Sequence, residues 1–451
     1  MYTRLISTLI FPLQERLKSH DTVRVRRALE QSQWWDPQRL AEHQLARLRS
    51  LLSHAAAEVP YYRDLFARCR FEPDAVTSLS DLAALPILDK ATIRAHTEAL
   101  KRPGASGLAR FNTGGSSGEP LVFFVGKERV SHDVAAKWRA TRWWGVDVGD
   151  PEVVVWGSPI ELGTQDAIRQ WRDRLMRTEL LPAFSMNEAA LDDFLAVIVR
   201  RRPRMLFGYP SALSHIAQHA ERRGVAMNSL GIRVAFVTSE RLYEDQRATI
   251  SRAFGCSVAN GYGGRDAGFI AHECPAGGMH VTAEDIILEL IDGKDQSVPD
   301  GQPGKIVVTH LATRDFPFIR YRTGDVAVRD TGRCACGRGL PMLREIQGRT
   351  TDFVVAADGT VMHGLALIYI LRDLPGLHRF KVIQHDLSRT EVLLQPAPGF
   401  NAEVARESIV KAFCRRLGDS VRVDVKVVGE LPPEKSGKFR YVVSHVVAVR
   451  N

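Results

Sequence analysis

The chain has 451 residues, of which 45% are apolar and 25% are charged, and its formal net charge is +9. This length predicts two or three domains, and the composition is ordinary for a globular protein. No apolar run approaches the roughly 20 residues of a membrane span, and no cleavage site follows the short apolar start, so we expect a cytoplasmic protein.

The positive charge is spread along the chain rather than gathered in one tract. Its densest spots are residues 24–27 and 200–202. A basic surface can bind nucleic acid or an anionic membrane, but this dispersal favours ordinary solvated helix faces, and we expect no nucleic-acid partner. Residues 5–17 could make a peripheral amphipathic membrane contact, although packing on the rest of the protein is the favoured interpretation.

Residues 1–100 are predicted to be mainly helical. Apolar residues recur at helical spacing across 40–52, and prolines interrupt the pattern at 59–62 and 85–88. From about 111 to 330, short apolar runs alternate with helical stretches. Strands are predicted at 151–157, 205–210 and 233–238, with a helix from Ser211 and antiparallel strands across 304–330. This alternation favours parallel or mixed sheets with ligand loops at the strand ends.

The pattern of predicted elements changes at about residue 353. A strand-turn-strand at 353–361 precedes a helix from about 364, strands at 380–383 and 391–395, a helix at 401–416 and a strand at 421–428. We therefore predict an α/β protein with a large N-terminal domain, residues 1–349, of mixed sheets with flanking helices. A small α+β domain, residues 350–451, follows it.

A glycine-rich loop at residues 112–120 is the most informative motif. It reads Asn-Thr-Gly-Gly-Ser-Ser-Gly-Glu-Pro, and it offers backbone N–H groups and hydroxyls with little bulk, as a phosphate requires. The Walker loop is excluded because Glu119, rather than lysine, follows the last glycine. By itself, a flexible turn is an equally good interpretation.

Four further motifs follow the glycine loop in order. They are Asn260-Gly-Tyr-Gly-Gly-Arg-Asp266, Tyr321-Arg-Thr-Gly-Asp325, Gly348-Arg-Thr-Thr-Asp352 and Pro432-Pro-Glu-Lys-Ser-Gly-Lys438. An aromatic ring can stack on a purine, and a carboxylate can hold Mg²⁺ or a ribose diol. A loop lysine can neutralise a transferring phosphate. Each motif taken singly is more simply a turn, a cap or a solvated loop, so their joint order carries the inference.

In that order and spacing the motifs resemble the acyl- and aryl-adenylating superfamily, which includes acyl-CoA ligases, peptide-synthetase adenylation domains and luciferases. From about residue 35 onward the chain is similar to the phenylacetate–CoA ligase-like branch, including members linked to capsular polysaccharide. The segments at 59–62 and 208–211 fit that branch as well. The resemblance implies a small C-terminal domain that rotates between two reaction steps.

The resemblance also implies a role for each matching residue. The β- and γ-phosphates of ATP would be held by Thr113, Gly114, Gly115, Ser116, Ser117 and Gly118. Adenosine would be bound by Tyr262, Gly263, Asp325, Ser239 and Glu240. Catalysis would use Lys438, Asp266 and Arg349, with Asp266 holding Mg²⁺, and Asp352 would be the hinge. The acid would lie near Phe207, Gly208 and Tyr209.

Two positions depart from the family pattern. Many relatives have lysine where this chain has Glu119, and many have glutamate where it has Asp266. The first change removes a cation from the phosphate loop, and the second shortens the carboxylate's reach by one methylene. Neither change argues strongly against activity while Lys438 and Asp325 remain.

Three cysteines and two histidines near the tyrosine motifs suggest a metal site. Zinc prefers four thiolate or imidazole ligands on glycine-supported turns, and we predict a structural zinc at Cys274, His280, Cys334 and Cys336. His272 is the alternative imidazole, and free buried thiols are the simpler alternative. A cytoplasmic chain is not expected to use its six cysteines as disulfides.

The sequence therefore predicts an ATP-dependent enzyme that adenylates a carboxylic acid and transfers the acyl group to CoA or to another thiol or amine. Aromatic residues around Phe207, with Trp138, Trp143 and Trp144, would suit an aryl or apolar acid, although these tryptophans fit a core better. Two alternatives stay open: an adenylyltransferase that leaves AMP on its substrate, and a non-catalytic scaffold in polysaccharide assembly. The acid, the acceptor and the oligomeric state are not indicated.

Overall fold

The structure is a computed structural model that describes residues 1–112, 121–156, 167–183, 186–347, 353–372, 374, 376–397, 400–431 and 441–446. Within these ranges, three groups of elements follow one another: N-terminal helices, a large mixed sheet with flanking helices, and two small C-terminal sheets. No helix in the described ranges is both long enough and apolar enough to cross a bilayer.

The N-terminal hundred residues are helical, as predicted. The helices are α1 Tyr2–Leu5, α2 Phe11–Leu17, α3 Thr22–Ser32, α4 Pro37–Glu58, α5 Pro60–Cys69, α6 Lys90–Ala95 and α7 Thr97–Leu100, with a π-helical turn at Ile6–Ile10 and 3₁₀ turns at Pro73–Ala75 and Leu79–Ala84. The Asp36 carboxylate caps α4 by accepting a hydrogen bond from the backbone N–H of Arg39 at 2.9 Å. Leu48, Leu52 and Ala55 recur on one face of α4 and are fully buried, and each buried leucine contributes about 2 kcal/mol.

The next elements build a separate two-stranded sheet, from the first two strands, and the parallel half of the large sheet. They are β1 Ala109–Asn112, β2 Val122–Val125, α8 Lys127–Trp143, β3 Glu152–Trp156, α9 Ala167–Met176, β4 Thr178–Pro182, α10 Glu188–Arg201, β5 Met205–Gly208, α11 Pro210–Arg223, β6 Val234–Thr238, α12 Glu244–Phe254 and β7 Ser257–Gly264. Strands β4, β3, β5, β6 and β7 pair in parallel in that order. The predicted strands are confirmed. Helix α11 begins one residue before the predicted Ser211, because Pro210 fits the first helical position.

The sheet continues through antiparallel strands. They are β8 Gly268–Glu273, β9 Met279–Val281, β10 Ile286–Ile291, β11 Pro303–His310, β12 Tyr321–Asp330 and β13 Met342–Gln347. Eleven of the described strands form one sheet in the order β10-β11-β12-β13-β9-β8-β7-β6-β5-β3-β4. The predicted antiparallel strands across 304–330 are confirmed as β11 and β12. Because β3, β5 and β6 are parallel, their carboxyl ends meet at one edge, where α/β proteins bind ligands.

The described C-terminal elements form two small sheets, of two and four strands, that share a core of their own. They are β14 Phe353–Val355, β15 Val361–His363, α13 Leu365–Arg372, β16 Leu377–Gln384, β17 Arg389–Pro396, α14 Ala402–Leu417, β18 Arg422–Val427 and β19 Val442–Ser444. Four strands pair in the order β18-β17-β16-β19, and Phe380, Ile409 and Phe413 lie in their core. The boundary predicted between residues 349 and 350 falls outside the described residues and stays a prediction.

Candidate active site

The two predicted carboxylates each accept a hydrogen bond from a tyrosine hydroxyl. The Tyr262 hydroxyl donates to Oδ2 of Asp325 at 3.0 Å, and the Tyr321 hydroxyl donates to Oδ2 of Asp266 at 2.5 Å. The partners lie 63 and 55 residues apart in the chain. Three strands separate β7 from β12 in the sheet order, so the sheet must curl to bring them within reach. The structure thus brings two predicted motifs to one place.

The turn that carries Asp266 is clamped from outside the motif. The buried guanidinium of Arg129, on α8, donates to the backbone oxygens of Asp266 at 2.8 Å and Arg265 at 2.9 Å. The Lys90 ammonium, at the start of α6, lies 4.0 Å from Oδ2 of Asp266. A β-carbon at Gly263 would overlap the carbonyl oxygen of Gly268, so this hairpin requires glycine there. The carboxylate is therefore held in a fixed, cation-rich position.

The loop after β6 carries Ser239 and Glu240. Ser239 has φ 73°, a left-handed conformation that is uncommon for a residue with a β-carbon and often marks functional loops. Oε2 of Glu240 accepts a hydrogen bond from the Ser211 hydroxyl at 2.5 Å. Ser211 stands at the start of α11, just after β5, and β5 and β6 are parallel neighbours. The two loops are thus joined at the carboxyl edge of the sheet.

An aromatic cluster lies at the ends of β3 and β5. The rings of Trp156 and Tyr209 stack with centroids 4.4 Å apart at 15°, and Phe207 lies 5.9 Å from Trp156. A β-carbon at Gly208 would come within 2.5 Å of the carbonyl oxygen of Val155, so neighbouring strands approach too closely for any other residue. The predicted acid-binding residues therefore form one aromatic surface, which Trp156 extends.

The three other candidate tryptophans belong to the packed core. Trp138 packs edge-on against Phe11 at 5.0 Å. The Trp143 indole donates to Oε1 of Gln33 at 2.7 Å, and the Trp144 indole donates to the carbonyl oxygen of Glu273 at 3.0 Å. Their polar edges are thus occupied by structural hydrogen bonds, as the core interpretation predicts.

The predicted metal ligands converge at a second site. The ligand atoms of Cys274, His280, Cys334 and Cys336 all lie within 4.8 Å of one another. The sulfurs of Cys274 and Cys334 are 3.5 Å apart, and Sγ of Cys336 lies 3.2 Å from Nε2 of His280. Two thiol-bearing turns, one after β8 and one after β12, therefore meet around the imidazole on β9. This three-sulfur, one-nitrogen set is a donor set that structural zinc uses.

Local backbone geometry prepares these four side chains for a metal. Nδ1 of His280 lies 3.3 Å from the carbonyl oxygen of Leu340, and a proton on Nδ1 leaves Nε2 free to ligate. Burial lowers the pKa of His280 to about 4, which keeps the ring neutral. A β-carbon at Gly278 would come within 2.6 Å of Sγ of Cys334, so only glycine leaves room for the sulfurs.

His272, the alternative imidazole, is opposite His280 on the neighbouring strand and is not among the four residues whose ligand atoms converge. Its ring stacks against Phe269 with centroids 5.4 Å apart and lies 5.9 Å from Phe236. Burial lowers its pKa to about 3. Of the two candidate imidazoles, the structure brings His280 to the thiols.

Comparisons with known proteins show what the chain is similar to. A family model described as the CapK C-terminal domain matches residues 354–445. The phenylacetate-coenzyme A ligase of Pseudomonas putida is 29% identical over 325 residues, covering 70% of this chain and 72% of its own. The corresponding ligase of Thermus thermophilus is 24% identical, covering 90% and 96%, and protein CapK of Staphylococcus aureus is 20% identical, covering 90% of each chain.

These similarities support the phenylacetate–CoA ligase-like branch of adenylate-forming enzymes. The chain is an adenylate-forming ligase. The crystal structure of 2-hydroxyisobutyryl-CoA ligase in complex with 2-HIB-AMP and CoA aligns with a TM-score of 0.67 at 20% identity, covering 92% of this chain and 91% of its own. That likeness confirms the predicted fold, a large α/β portion followed by a small α+β portion.

Several predicted residues of this ligase fall outside the described residues. They are Thr113, Gly114, Gly115, Ser116, Ser117, Gly118, Glu119, Arg349, Asp352 and Lys438. The strands on either side of the glycine loop are described: β1 and β2 pair antiparallel, with Asn112 opposite Val122. Phe123 on β2 packs edge-on against Phe318 at 5.7 Å. The strand pair that flanks the loop is therefore anchored against Phe318, just before β12.

Sequence reasoning missed three residues of the ligase site. Arg129 and Lys90 had no local signal, because each reaches Asp266 across more than a hundred residues of chain. Trp156 was taken only as the end of a strand, and its stack on Tyr209 depends on the pairing of β3 with β5. Tyr321 stood inside a quoted motif, but nothing in that motif named its partner.

Proposed function

We propose that the chain is an acid–CoA ligase that joins a carboxylic acid to AMP and then transfers the acyl group to the thiol of CoA. The observation that carries the proposal is the convergence of Tyr262, Asp325, Asp266 and Tyr321, which come from two separate motifs. The names of the relatives support it, as does the complex of the hydroxyisobutyryl enzyme with an acyl-AMP and CoA.

Tyr262, Asp325 and the loop at Ser239 and Glu240 are proposed to bind adenosine. The Tyr262 ring would lie against adenine, while Asp325 would accept hydrogen bonds from the ribose hydroxyls. The hydrogen bond between these two side chains sets the ring and the carboxylate in one orientation before the nucleotide arrives. Gly263 allows the close turn that follows the ring.

The triphosphate is proposed to lie between the glycine loop and Asp266. Residues 113–118 would donate backbone and hydroxyl hydrogen bonds to the β- and γ-phosphates. A carboxylate fits Mg²⁺, which is commonly bound by one or two carboxylates together with substrate phosphates. When bound, that ion would neutralise charge on the phosphoryl oxygens. Lys90, 4.0 Å from Asp266, adds positive charge in a site where Glu119 adds none.

Lys438 and Arg349 are proposed to stabilise the transferring α-phosphate. An oxygen of the acid attacks the α-phosphorus, the bond to the β-phosphate breaks, and pyrophosphate leaves. A thiolate then attacks the acyl carbonyl, and AMP leaves. Lys438 would bridge the carboxylate and the α-phosphate in the first step, so that opposite charge meets the developing charge. The proposal keeps the domain boundary at 349/350 and Asp352 as the hinge on which the small domain turns.

The aromatic cluster supports an aryl or apolar acid as substrate. Trp156, Phe207 and Tyr209 form a continuous ring surface, and pockets for apolar ligands are lined by such side chains. The Lys137 ammonium lies 3.9 Å from the centre of the Phe207 ring, and Glu152 lies within 3.7 Å of that ammonium. The same cluster therefore has a polar side that suits the carboxylate end of the acid.

The match to the CapK C-terminal domain supports a second candidate function, in which the enzyme acts in polysaccharide biosynthesis. In that case the acyl group would pass to an amine rather than to a thiol. The first step and its residues would be unchanged, because the acceptor enters only after pyrophosphate has left.

We further propose a structural zinc ion at Cys274, His280, Cys334 and Cys336. The arrangement of their ligand atoms and the space left by Gly278 support it. When bound, zinc would hold the two thiol-bearing turns against β9 and thereby stabilise the fold. None of these three cysteine thiolates takes part in the proposed reaction.

The decisive experiment measures pyrophosphate release with a panel of aryl and aliphatic acids, with and without CoA. We expect release with at least one aryl acid, and free AMP when CoA is added. Lys438→Ala should reduce adenylation at least about a hundredfold, or about 2.7 kcal/mol in the barrier. Lys435→Ala, a lysine of the same loop, is the matched control and should retain activity.

Two results would contradict the proposal. Unchanged pyrophosphate release in Lys438→Ala would remove the assigned mechanism. Retention of AMP on a product that carries no acyl group would favour an adenylyltransferase. If free AMP is released only when an amine acceptor is added, the adenylation step of the proposal stands, and an amine takes the place of CoA as the acyl acceptor.

A further inference from the structure

An exposed leucine face runs along the N-terminal helical segment, residues 2–17. Leu5, Leu9, Leu13 and Leu17 recur every four residues and are 46%, 59%, 55% and 79% exposed. A four-residue spacing drifts around an ordinary α-helix, but the π-helical turn at Ile6–Ile10 has wider turns that reduce this drift. Single exposed apolar residues are normal, whereas four aligned leucines form a patch that marks an interaction surface.

The opposite face of the same segment is anchored in the protein. Ile6 is fully buried, and it fits so closely that a β-carbon at Gly149 would lie 2.6 Å from its Cβ. Phe11 packs edge-on against Trp138 with centroids 5.0 Å apart. The Tyr2 hydroxyl donates to the carbonyl oxygen of Leu175 at 2.7 Å. The segment is therefore fixed in place, and its leucine face is presented outward by the fold.

The exposed charges that the segment itself carries have one sign. Within residues 2–18, all of them described, the exposed charged side chains are Arg4, Arg16 and Lys18. Glu15, the acid of this segment, is 3% exposed, because it turns inward to accept a hydrogen bond from the Thr22 hydroxyl at 2.6 Å. An apolar stripe with basic flanks is the pattern of a helix that lies in the interface of an anionic bilayer.

Helix α9, which contacts this segment through Leu175, carries an exposed aromatic residue. Trp171 is 66% exposed, and Leu175, one turn further along the same helix face, packs in the cluster that contains Ile6 and Phe11. Tryptophan favours the boundary between apolar and aqueous phases. The Arg177 guanidinium lies 5.3 Å from the centre of the Tyr2 ring, so this end of α9 adds another exposed cation.

We propose that the leucine face of residues 2–17, with Trp171, docks the protein on an anionic phospholipid bilayer. The segment would lie in the membrane plane, with leucines in the acyl boundary and Arg4, Arg16 and Lys18 among the headgroups. Its buried face stays on the protein, so docking needs no unfolding. This docking is independent of the chemistry of the nucleotide site.

The test is co-sedimentation of the full chain with vesicles. Vesicles of phosphatidylglycerol and phosphatidylcholine should bind the chain, and vesicles of phosphatidylcholine alone should bind it far more weakly. Raising the salt to about 0.5 M should weaken binding, because headgroup attraction is screened. The double variant Leu9→Glu/Leu13→Glu should lower the partition coefficient at least about tenfold. Arg16→Glu/Lys18→Glu should lower binding to anionic vesicles.

The matched control is Leu387→Glu/Val404→Glu, which changes two exposed apolar residues of the small C-terminal unit and should bind as the natural chain does. Unfolding temperature and pyrophosphate release show that each variant is folded. Leu9→Ala/Leu13→Ala, which keeps helix propensity, gives an intermediate loss should the glutamates disturb the fold. Equal binding to both vesicle types would overturn the proposal. So would a lipid-free dimer, seen by light scattering, that Leu9→Glu/Leu13→Glu dissociates.

Discussion

The Tyr262–Asp325 pair is where a single residue should decide nucleotide affinity. Asp325→Asn keeps the shape of the side chain but removes one strong acceptor and the negative charge. We expect KM for ATP to rise about tenfold, or about 1.4 kcal/mol, with a smaller change in kcat, because the ribose contact exists before and during the reaction. Pyrophosphate release measured against ATP concentration checks this.

Tyr262→Phe separates the two roles of the tyrosine. The variant keeps the ring that would stack on adenine and loses only the hydrogen bond to Asp325, so we expect KM for ATP to rise by less than about threefold. Asp300→Asn, an exposed aspartate on the surface, is the control for the charge change. An Asp325→Asn enzyme with the KM of the natural chain would remove Asp325 from the ribose site.

At the scale of elements, the sequence predicts where strands lie along the chain better than it predicts which strands pair. Apolar runs and turn residues are local, so β3, β5 and β6 were placed within a residue or two. Strand β19 has three residues and pairs with β16, about 60 residues earlier in the chain, so no local signal marked it. The continuity of the eleven-stranded sheet likewise depends on pairings such as β13 with β9, which periodicity does not encode.

The same limit applies to the candidate site. Residues that stand in motifs, such as Asp325 and Tyr262, could be named, because the motif itself shows the chemistry. Arg129 reads as one more cation on a helix, and its hydrogen bonds to Asp266 and Arg265 exist only once α8 has packed. The metal cluster was predictable in part. The sequence indicates the three cysteines and two candidate imidazoles, and only the fold shows that His280 rather than His272 meets the thiols.

The cysteine cluster should stabilise the fold by holding the turns after β8 and β12 together through a shared zinc ion. Purified protein should contain about one zinc per chain, and less than about 0.2 after mild purification would contradict the site. Chelation should lower the unfolding temperature, because the turns after β8 and β12 would lose their shared ligand. Cys336→Ser should lose the metal and give the same shift, whereas Cys69→Ser, at an exposed cysteine, should not.

At the scale of the whole molecule, buried histidines should make the large α/β portion sensitive to acid. Burial lowers the pKa of His215 to about 4 and that of His272 to about 3, against an unfolded value of about 6.5. Below pH 6.5 these two histidines therefore bind protons in the unfolded chain and remain neutral in the folded chain. Stability should rise with pH between about 4 and 6.5, and be fully present above 6.5.

Each of these histidines should contribute about 1 kcal/mol per pH unit in that window. Denaturant unfolding at pH 7.5, 6.5 and 5.5 measures the slope. His272→Gln should flatten it by the share of one histidine, because glutamine does not titrate, even where the variant is less stable at every pH. A His272→Gln slope equal to that of the natural chain would mean that His272 accepts its proton in the folded state, and that the aromatic packing around it opens to water.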